Sequence, residues 1–376
     1  MRVSAGTINV PADYPSIQQA INHAAVNDMV RVAALTYHEL VLLNKTVHLV
    51  GESLKTTVLD GQGQGAIVTV TVNSASISGF TIMNAPAYGN AVELSHVRFV
   101  NVTGNTINSN PGSSRASSAG VDLYGSNDSL VDSNFFTYDL YGVNMTFSTR
   151  NRISNNQMSS GVIDGVEVVD SFRNLIFQNS FVGAEDGVDL MGSLTSLNNV
   201  TRNLFRGSKV FAMFLAEHAG LNVLSENSFE LNRFGVDVDN ATTNTFYHNC
   251  FICPRSVPTC LFLVNYVCSS DITGDVRDNR SLGGPRGGNY WDNYNGTDAD
   301  NDDIGDTNTP WLRVDYYPLM APFVPVPVAV ASVTFTPAGG NAPFTATPGT
   351  LAMDLYLTVP LYLCILSQVR AIIRLR

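Results

Sequence analysis

Four acidic residues repeat one spacing: Asp164 and Glu167 lie three residues apart, and Asp186 and Asp189 repeat the pair 22 residues later. Carboxylates paired in this way have three kinds of chemistry open to them. At a separation of about 5 Å they can act as acid and nucleophile in a retaining glycosidase. They can share a proton, with one pKa raised, or, as hard oxygen donors, hold Ca²⁺ against a uronate. Asp164, Glu167, Asp186 and Asp189 are therefore candidate catalytic residues. Asp122, Phe214 and Asp237 occupy the place in their own segments that Glu167 and Asp189 occupy in theirs, and His218 and Arg206 lie within one repeat of the patch. Asp122, Phe214, His218 and Asp237 are candidate ligand-binding residues, Phe214 as a ring for stacking on a sugar. A second acidic set, Asp298, Asp300, Asp302 and Asp306, places oxygen ligands at alternating positions around a tight turn at Gly305. That pattern can wrap a structural Ca²⁺, although it lacks the closing Glu of an EF-hand. The plain alternative for both sets is a solvated acidic surface, which on a strand's outer face also discourages sheet association.

The elements that must position these residues follow from a repeat. Asn105, Asn134, Asn156, Asn179, Asn203, Asn227 and Asn249 each precede an apolar residue by two places, and after a first longer step they recur every 22 to 24 residues. A tetrad keeps pace with them: Gly120-Val-Asp-Leu, Gly142-Val-Asn-Met, Gly165-Val-Glu-Val, Gly187-Val-Asp-Leu and Gly235-Val-Asp-Val, with Ala212-Met-Phe-Leu filling the gap. A fixed period of this size marks a stack of units that bury their apolar faces only against one another. Within each unit the apolar pattern has period two and is broken by Gly, Ser, Asn and Asp, which predicts short strands and tight turns. Three short strands with their turns account for about 22 residues, one coil of a parallel β-helix, whereas a propeller blade needs about 40.

The expectation is an all-β fold, a single-stranded right-handed parallel β-helix of about ten coils. Val121, Leu123, Val143, Met145, Val166, Val168, Val188, Leu190, Val236 and Val238 should point inward, and Asp122, Asn144, Glu167, Asp189, Phe214 and Asp237 outward along one sheet. Each repeated Asn is expected at a corner, satisfying backbone groups and tolerating left-handed backbone angles, with the tetrad Gly doing the same. At the start, Ile17, Ala20, Ile21 and Ala24 share one helical face, with Asp13 or Ser16 as N-cap, so a short helix should cover the open end of the core.

Residues 1–320 are read as the β-helix, ending in an aromatic and acidic cap. Residues 321–350 are a Pro/Thr-rich linker leading into an incomplete immunoglobulin-like start, and residues 351–376 an apolar tail. The tail is either a C-terminal membrane anchor, borderline in length, or a non-native continuation. The net charge of −11, with Lys45, Lys55 and Lys209 the only lysines, argues against nucleic acid and anionic membrane surfaces. Asn-X-Ser/Thr sequons beginning at Asn44, Asn101, Asn127, Asn144, Asn199, Asn240, Asn279 and Asn295 suit a glycoprotein. Cys250, Cys253, Cys260 and Cys268 favour local disulfides over an imperfect zinc site, leaving Cys364. The opening Met1-Arg-Val-Ser-Ala-Gly shows no apolar leader segment, so either a leader lies outside this chain or export takes another route.

Three blocks carry a family resemblance: Ile8-Asn-Val-Pro-Ala-Asp-Tyr-Pro-Ser-Ile-Gln-Gln-Ala-Ile; Val30-Arg-Val-Ala-Ala-Leu-Thr-Tyr-His-Glu with Leu49-Val-Gly-Glu-Ser; and Gly287-Gly-Asn-Tyr-Trp-Asp-Asn-Tyr-Asn-Gly-Thr-Asp-Ala-Asp-Asn-Asp-Asp-Ile-Gly-Asp. Over about residues 6–320 the chain resembles the NosD-like periplasmic copper-binding β-helix proteins, relatives of the pectin-lyase-like and carbohydrate-binding or sugar-hydrolase β-helices. Ala329 to Thr347 is similar to the first strands of a polycystic-kidney-disease-type module. The resemblance implies an exported or surface-displayed protein. Copper follows from the family label alone, since no Met-x-x-Met, His-x-His or His-rich tract is present. The Gly-His-Gly and Arg-Ile-Lys signatures of polygalacturonase-like members are also absent. The functional expectation is a non-catalytic binder or scaffold for surface glycans, the alternatives being a polysaccharide hydrolase or lyase and a copper-handling accessory protein.

Overall fold

The computed structural model describes residues 5–86, 89–108, 119–159, 161–241, 243–252, 287–309, 315–323, 334–335 and 344–345. Each coil passes through three strands in turn, as in Asp164–Val169, Leu175–Phe177 and Ser180–Val182. Stacked coils give three parallel sheets of nine, eleven and eleven strands, a solenoid of about ten turns. The nine-stranded sheet carries the tetrads.

Strand register follows the period read from the sequence. Val121, Val143, Val166, Val188, Met213 and Val236 pair in succession, as do Leu123, Met145, Val168, Leu190, Leu215 and Val238. All twelve are buried. A third interior column is aromatic: Phe181, Phe205, Phe229, Phe251 and Trp291 stack at centroid separations of 4.8, 5.0, 4.6 and 4.3 Å. Such columns make the core continuous along the stack, so every unit depends on its neighbours for burial.

Each repeated Asn stands, as expected, at the corner between two strands of its coil, Asn156 between Arg152–Ser154 and Gln157–Met158, and the side chains link coil to coil in a ladder; what needs correction is the left-handed angle. Asn179 accepts both the backbone N–H (3.0 Å) and the side-chain Nδ2–H (3.0 Å) of Asn156 on Oδ1, and gives its own pair to Asn203 (2.8 and 3.1 Å). The same link runs from Asn105 through Asn134 to Asn249 and ends on Asn289. The left-handed residue is the one before each ladder Asn: Ser133, Asn155, Gln178, Arg202, Glu226 and His248 all have φ between 53° and 57°. A second ladder, through Asn151, Asn174, Asn198, Asn222 and Asn244, was not anticipated. The tetrad Gly is corrected too. Gly165 has no left-handed φ; a Cβ there would lie 2.3 Å from the Phe181 ring and 2.5 Å from the Gly187 carbonyl oxygen. Glycine is needed for space beside the aromatic column.

The helix Ile17–His23 buries Ile17, Ala20 and Ile21 against the first coils. Ser16 is its N-cap, accepting from Gln19 N–H at 3.2 Å, and Glu39 accepts from the Ile17 and Gln18 N–H groups at 2.9 and 3.1 Å. At the far end Trp291 donates its indole N–H to buried Asp315 at 2.8 Å. Residues 1–324 form one compact unit and residues 325–376 another, in which Thr334–Phe335 pairs antiparallel with Phe344–Thr345. The tail 351–376 lies outside the described residues, as do Cys253, Cys260, Cys268 and Cys364. No helix among the described residues is long and apolar enough to cross a membrane.

Candidate functional site

The outer face of the tetrad sheet presents side chains in rows that run along the stack. One row is Glu93, Asp122, Asn144, Glu167, Asp189, Phe214 and Asp237, each paired in register with the next. The neighbouring row comes from the residue before each tetrad and holds Tyr141, Asp164 and Asp186, then Phe211 and Phe234. Phe211 continues it from Asp186, whose Oδ1 accepts the Phe211 N–H at 2.6 Å. In Asp164–Val169 the burial order is half-buried, buried, buried, half-buried, buried, half-buried. Gly165 takes an extra inward place, so strict alternation is broken and Asp164 shares a face with Glu167. Asp164 and Asp186 thus stand within the strands, each as the first residue.

The carboxylates converge. Oxygens of Asp164, Asp186 and Asp189 all lie within 4.8 Å of one another. Asp189 is only 6 % exposed, and its Oδ1 has no hydrogen-bond partner. The expectation of a wet outer face fails here, because Glu167 before it and Phe214 after it, each one strand spacing or about 4.8 Å away, and the two aspartates of the neighbouring row crowd the position.

Burial and mutual repulsion raise the proton affinity of the whole group. Burial first, then Asp186, Glu167 and Glu185, pushes Asp164 up to about 7. Burial and then Asp122 push Glu167 to about 7. Asp189 is held well above the ordinary carboxylate range by burial, then by Asp164, Asp186 and Glu167. Tyr141 is raised to about 12 by burial and then by Glu167, Asp164 and Asp189. Asp122 is also raised, by burial, although Asn144 and Asn90 donate to it at 2.8 and 3.2 Å. The charges that raise Asp164 and Asp189 are those of other carboxylates. Such a cluster can exchange protons near neutral pH or bind a cation.

Of the candidate ligand-binding residues, Phe214 lies beside Asp189 and stacks on Phe211 at 5.2 Å with planes 16° apart; Phe234 joins Phe211 at 5.2 Å. Asp237 follows Phe214 in the row. Tyr141 faces Asp164 in register, and Tyr124 stands further along the sheet against His96 and Phe147. His218 sits beyond the strand end with φ 70° and pairs with Asn240 at 3.3 Å. Arg206 belongs to another sheet and is engaged by Glu230. Closeness in sequence within one coil does not fix which of three sheets a residue joins. Phe211 and Phe234 were missed, yet a signal existed: the residue before each Gly, or before Ala212, forms a column of its own.

In the C-terminal acidic loop, Asp298, Asp300 and Asp306 bring carboxylate oxygens within 4.8 Å of one another, while Asp302 is not in that group. Asp302 instead accepts the Ile304 N–H at 3.1 Å. Asp298 accepts from the N–H groups of Asp302 and Asp303 at 3.2 and 3.0 Å, and Asp306 from Ala299 N–H at 2.7 Å. Asp300 and Asp306 are exposed.

The model of the family described as periplasmic copper-binding protein (NosD) matches residues 71–296. No curated protein matches. Among solved structures, the Dettilon tailspike protein aligns at 14 % identity with a TM-score of 0.52, covering 65 % of this chain and 54 % of the other, so this chain spans about half the tailspike's length. An alginate lyase from Paenibacillus sp. str. FPU-7 aligns at 13 % identity with a TM-score of 0.42, covering 64 % of this chain and 99 % of the lyase. At 14 % identity the likeness to the tailspike shows the fold alone. The copper in the family's description finds no matching donor set here: among the described residues, the two groups of convergent metal-ligating side chains contain only aspartate. His38 pairs with Asp60, His48 with Ser76, and His248 stacks on Phe323. Cu²⁺ and Cu⁺ favour imidazole, thiolate and thioether ligands.

Proposed function

This chain belongs to the NosD family of β-helix proteins, and on that premise we propose that it is displayed outside the cell and binds polysaccharide or surface glycan on the tetrad sheet without cleaving it. The observation that carries this reading is the direct adjacency of the Phe211 and Phe214 rings to Asp186 and Asp189. A sugar offers an apolar ring face and a rim of hydroxyls, and a ligand site for it combines aromatic surface with a few placed polar acceptors. The half-buried rings provide the first, and Asp122, Asn144, Glu167 and Asp237, spread along one row, provide the second. In-register coils place Asp122, Asn144 and Glu167 about 4.8 Å apart in succession, a comb suited to a chain lying along the stack, with Asp237 beyond Phe214.

The alternative, a polysaccharide hydrolase or lyase, is favoured by one observation: Asp164 and Glu167 lie near a pKa of about 7 and so can give and take protons at neutral pH. A glycan array followed by mass spectrometry of the bound glycans separates the two. Binding with intact glycans, weakened about tenfold or more by Phe214→Ala, is expected. Cleavage that Asp189→Asn abolishes would transfer the reading to the enzyme, and failure to bind any acidic or neutral glycan would end both.

A further inference from the structure

Asp189 presents a physical problem that the glycan reading leaves unsolved. Buried carboxylate oxygens in folded proteins are hydrogen-bonded or ligated, because an unpartnered one forfeits its hydration with nothing in return. Asp189 is 6 % exposed, its Oδ1 accepts no hydrogen bond, and the charges that act on it are the carboxylates of Asp164, Asp186 and Glu167.

We propose that Asp164, Asp186 and Asp189 hold one oxygen-preferring divalent cation, with Ca²⁺ the best match. Their oxygens lie within 4.8 Å of one another; even at that limit a common centre is about 2.8 Å from each, so a contraction of a few tenths of an ångström brings all three to the Ca–O bond of roughly 2.3–2.6 Å. Mg²⁺, with bonds of about 2.0–2.1 Å and a strict octahedron, would need a larger contraction. The donors are all carboxylate, a set for hard cations and not for copper. Two adjacent strands fix the geometry: Asp164 pairs in register with Asp186, and Asp189 comes from the same strand as Asp186. A single shared proton would leave the three carboxylates with two negative charges, whereas a dication leaves one. Three carboxylates supply three to six oxygens, short of or equal to the six to eight Ca²⁺ takes, and Glu167, in register with Asp189, stands next in line. The exposed Asp298 loop differs in kind, since backbone N–H groups already occupy its Asp298 and Asp306 carboxylates.

The test uses the full chain, stripped with EDTA and exchanged into neutral buffer, and contains no glycan, so it stands or falls apart from the glycan reading. Calorimetric titration with CaCl2 should show a site with a dissociation constant of about 10 μM to 1 mM. Asp189→Asn and, as a second variant, Asp164→Asn should each weaken it about tenfold or more, with circular dichroism verifying the fold, while Asp306→Asn should leave it intact. Tb³⁺ bound at the cluster should luminesce on tyrosine excitation. Tyr141→Phe, changing a ring one strand from Asp164, should reduce that emission without loss of Ca²⁺ binding. The proposal is overturned by a Ca²⁺ isotherm that neither cluster variant changes, by uptake that only Asp306→Asn abolishes, or by no Ca²⁺ uptake at up to about 10 mM.

Discussion

Asn179→Ala and Asn105→Ala should differ about twofold in their cost although both asparagines are 1 % exposed. In the middle of the ladder, Asn179 Oδ1 accepts two donors from Asn156, the backbone N–H and the Nδ2–H, and the alanine leaves both unpartnered in the wall. A buried donor without a partner costs about 1–3 kcal/mol, so two cost roughly 2–6 kcal/mol, centred near 4. At the ladder's first rung, Asn105 Oδ1 accepts only the Phe80 N–H, at 3.1 Å, and its loss should cost about 1–3 kcal/mol. The carbonyls that lose an Asn donor keep other ways to be satisfied, so the difference rests on the donors. Asn179→Asp keeps the acceptor but sets a carboxylate against Asn203 Oδ1, 3.1 Å from the present Nδ2, and should be at least as damaging as alanine. Guanidinium unfolding followed by circular dichroism measures all three. Equal costs for the two alanine variants, or a cost below about 1 kcal/mol at Asn179, would show that the ladder bonds do not hold the coils in register.

Three further outcomes follow from particular contacts. In EDTA, the unfolded chain deprotonates Asp164 near its ordinary 3.8 while the folded chain holds the proton until about 7, so the folded state binds more protons between those values and stability falls as pH rises through that window. Asp164→Asn should remove that residue's share of the fall, gaining on the wild type by up to roughly 4 kcal/mol between pH 4 and pH 8, and parallel melting-temperature profiles would refute it. Gly165→Ala should destabilise by about 3 kcal/mol or more, because its Cβ would lie 2.3 Å from Phe181, whereas Gly235→Ala, with its nearest contact at 3.3 Å, should cost under about 1 kcal/mol; denaturation midpoints compare them. Asp315→Ala should cost about 3–5 kcal/mol by stranding the Trp291 indole N–H and the Asn289 and Tyr317 backbone N–H groups, with indole fluorescence reporting a loosened cap before global unfolding.

A solenoid turns sequence period into spatial distance, which is why so much of this one is legible. Val121, Val143, Val166 and Val188 recur because each must fill the same interior place, and the acidic pairs 22 residues apart had to become neighbours once that register held. The second ladder at Asn151, Asn174, Asn198, Asn222 and Asn244 has the same period, but it lies among so many other asparagines that composition hides it. The left-handed corners left no mark, since Ser133, Gln178, Arg202 and Glu226 share a backbone angle and no chemistry. The burial of Asp189 was the least visible feature. Whether an outward carboxylate is wet depends on what stands before and after it along the stack and in the row beside it, and those neighbours come from three coils. Asp122 and Asp189 occupy the same place in the tetrad; one receives hydrogen bonds from Asn144 and Asn90, while the other has Glu167 and Phe214 on either side of it in the row. Pattern assigns both to the same face. Only the stacked geometry makes the first a satisfied acceptor and leaves the second buried with an unpartnered Oδ1.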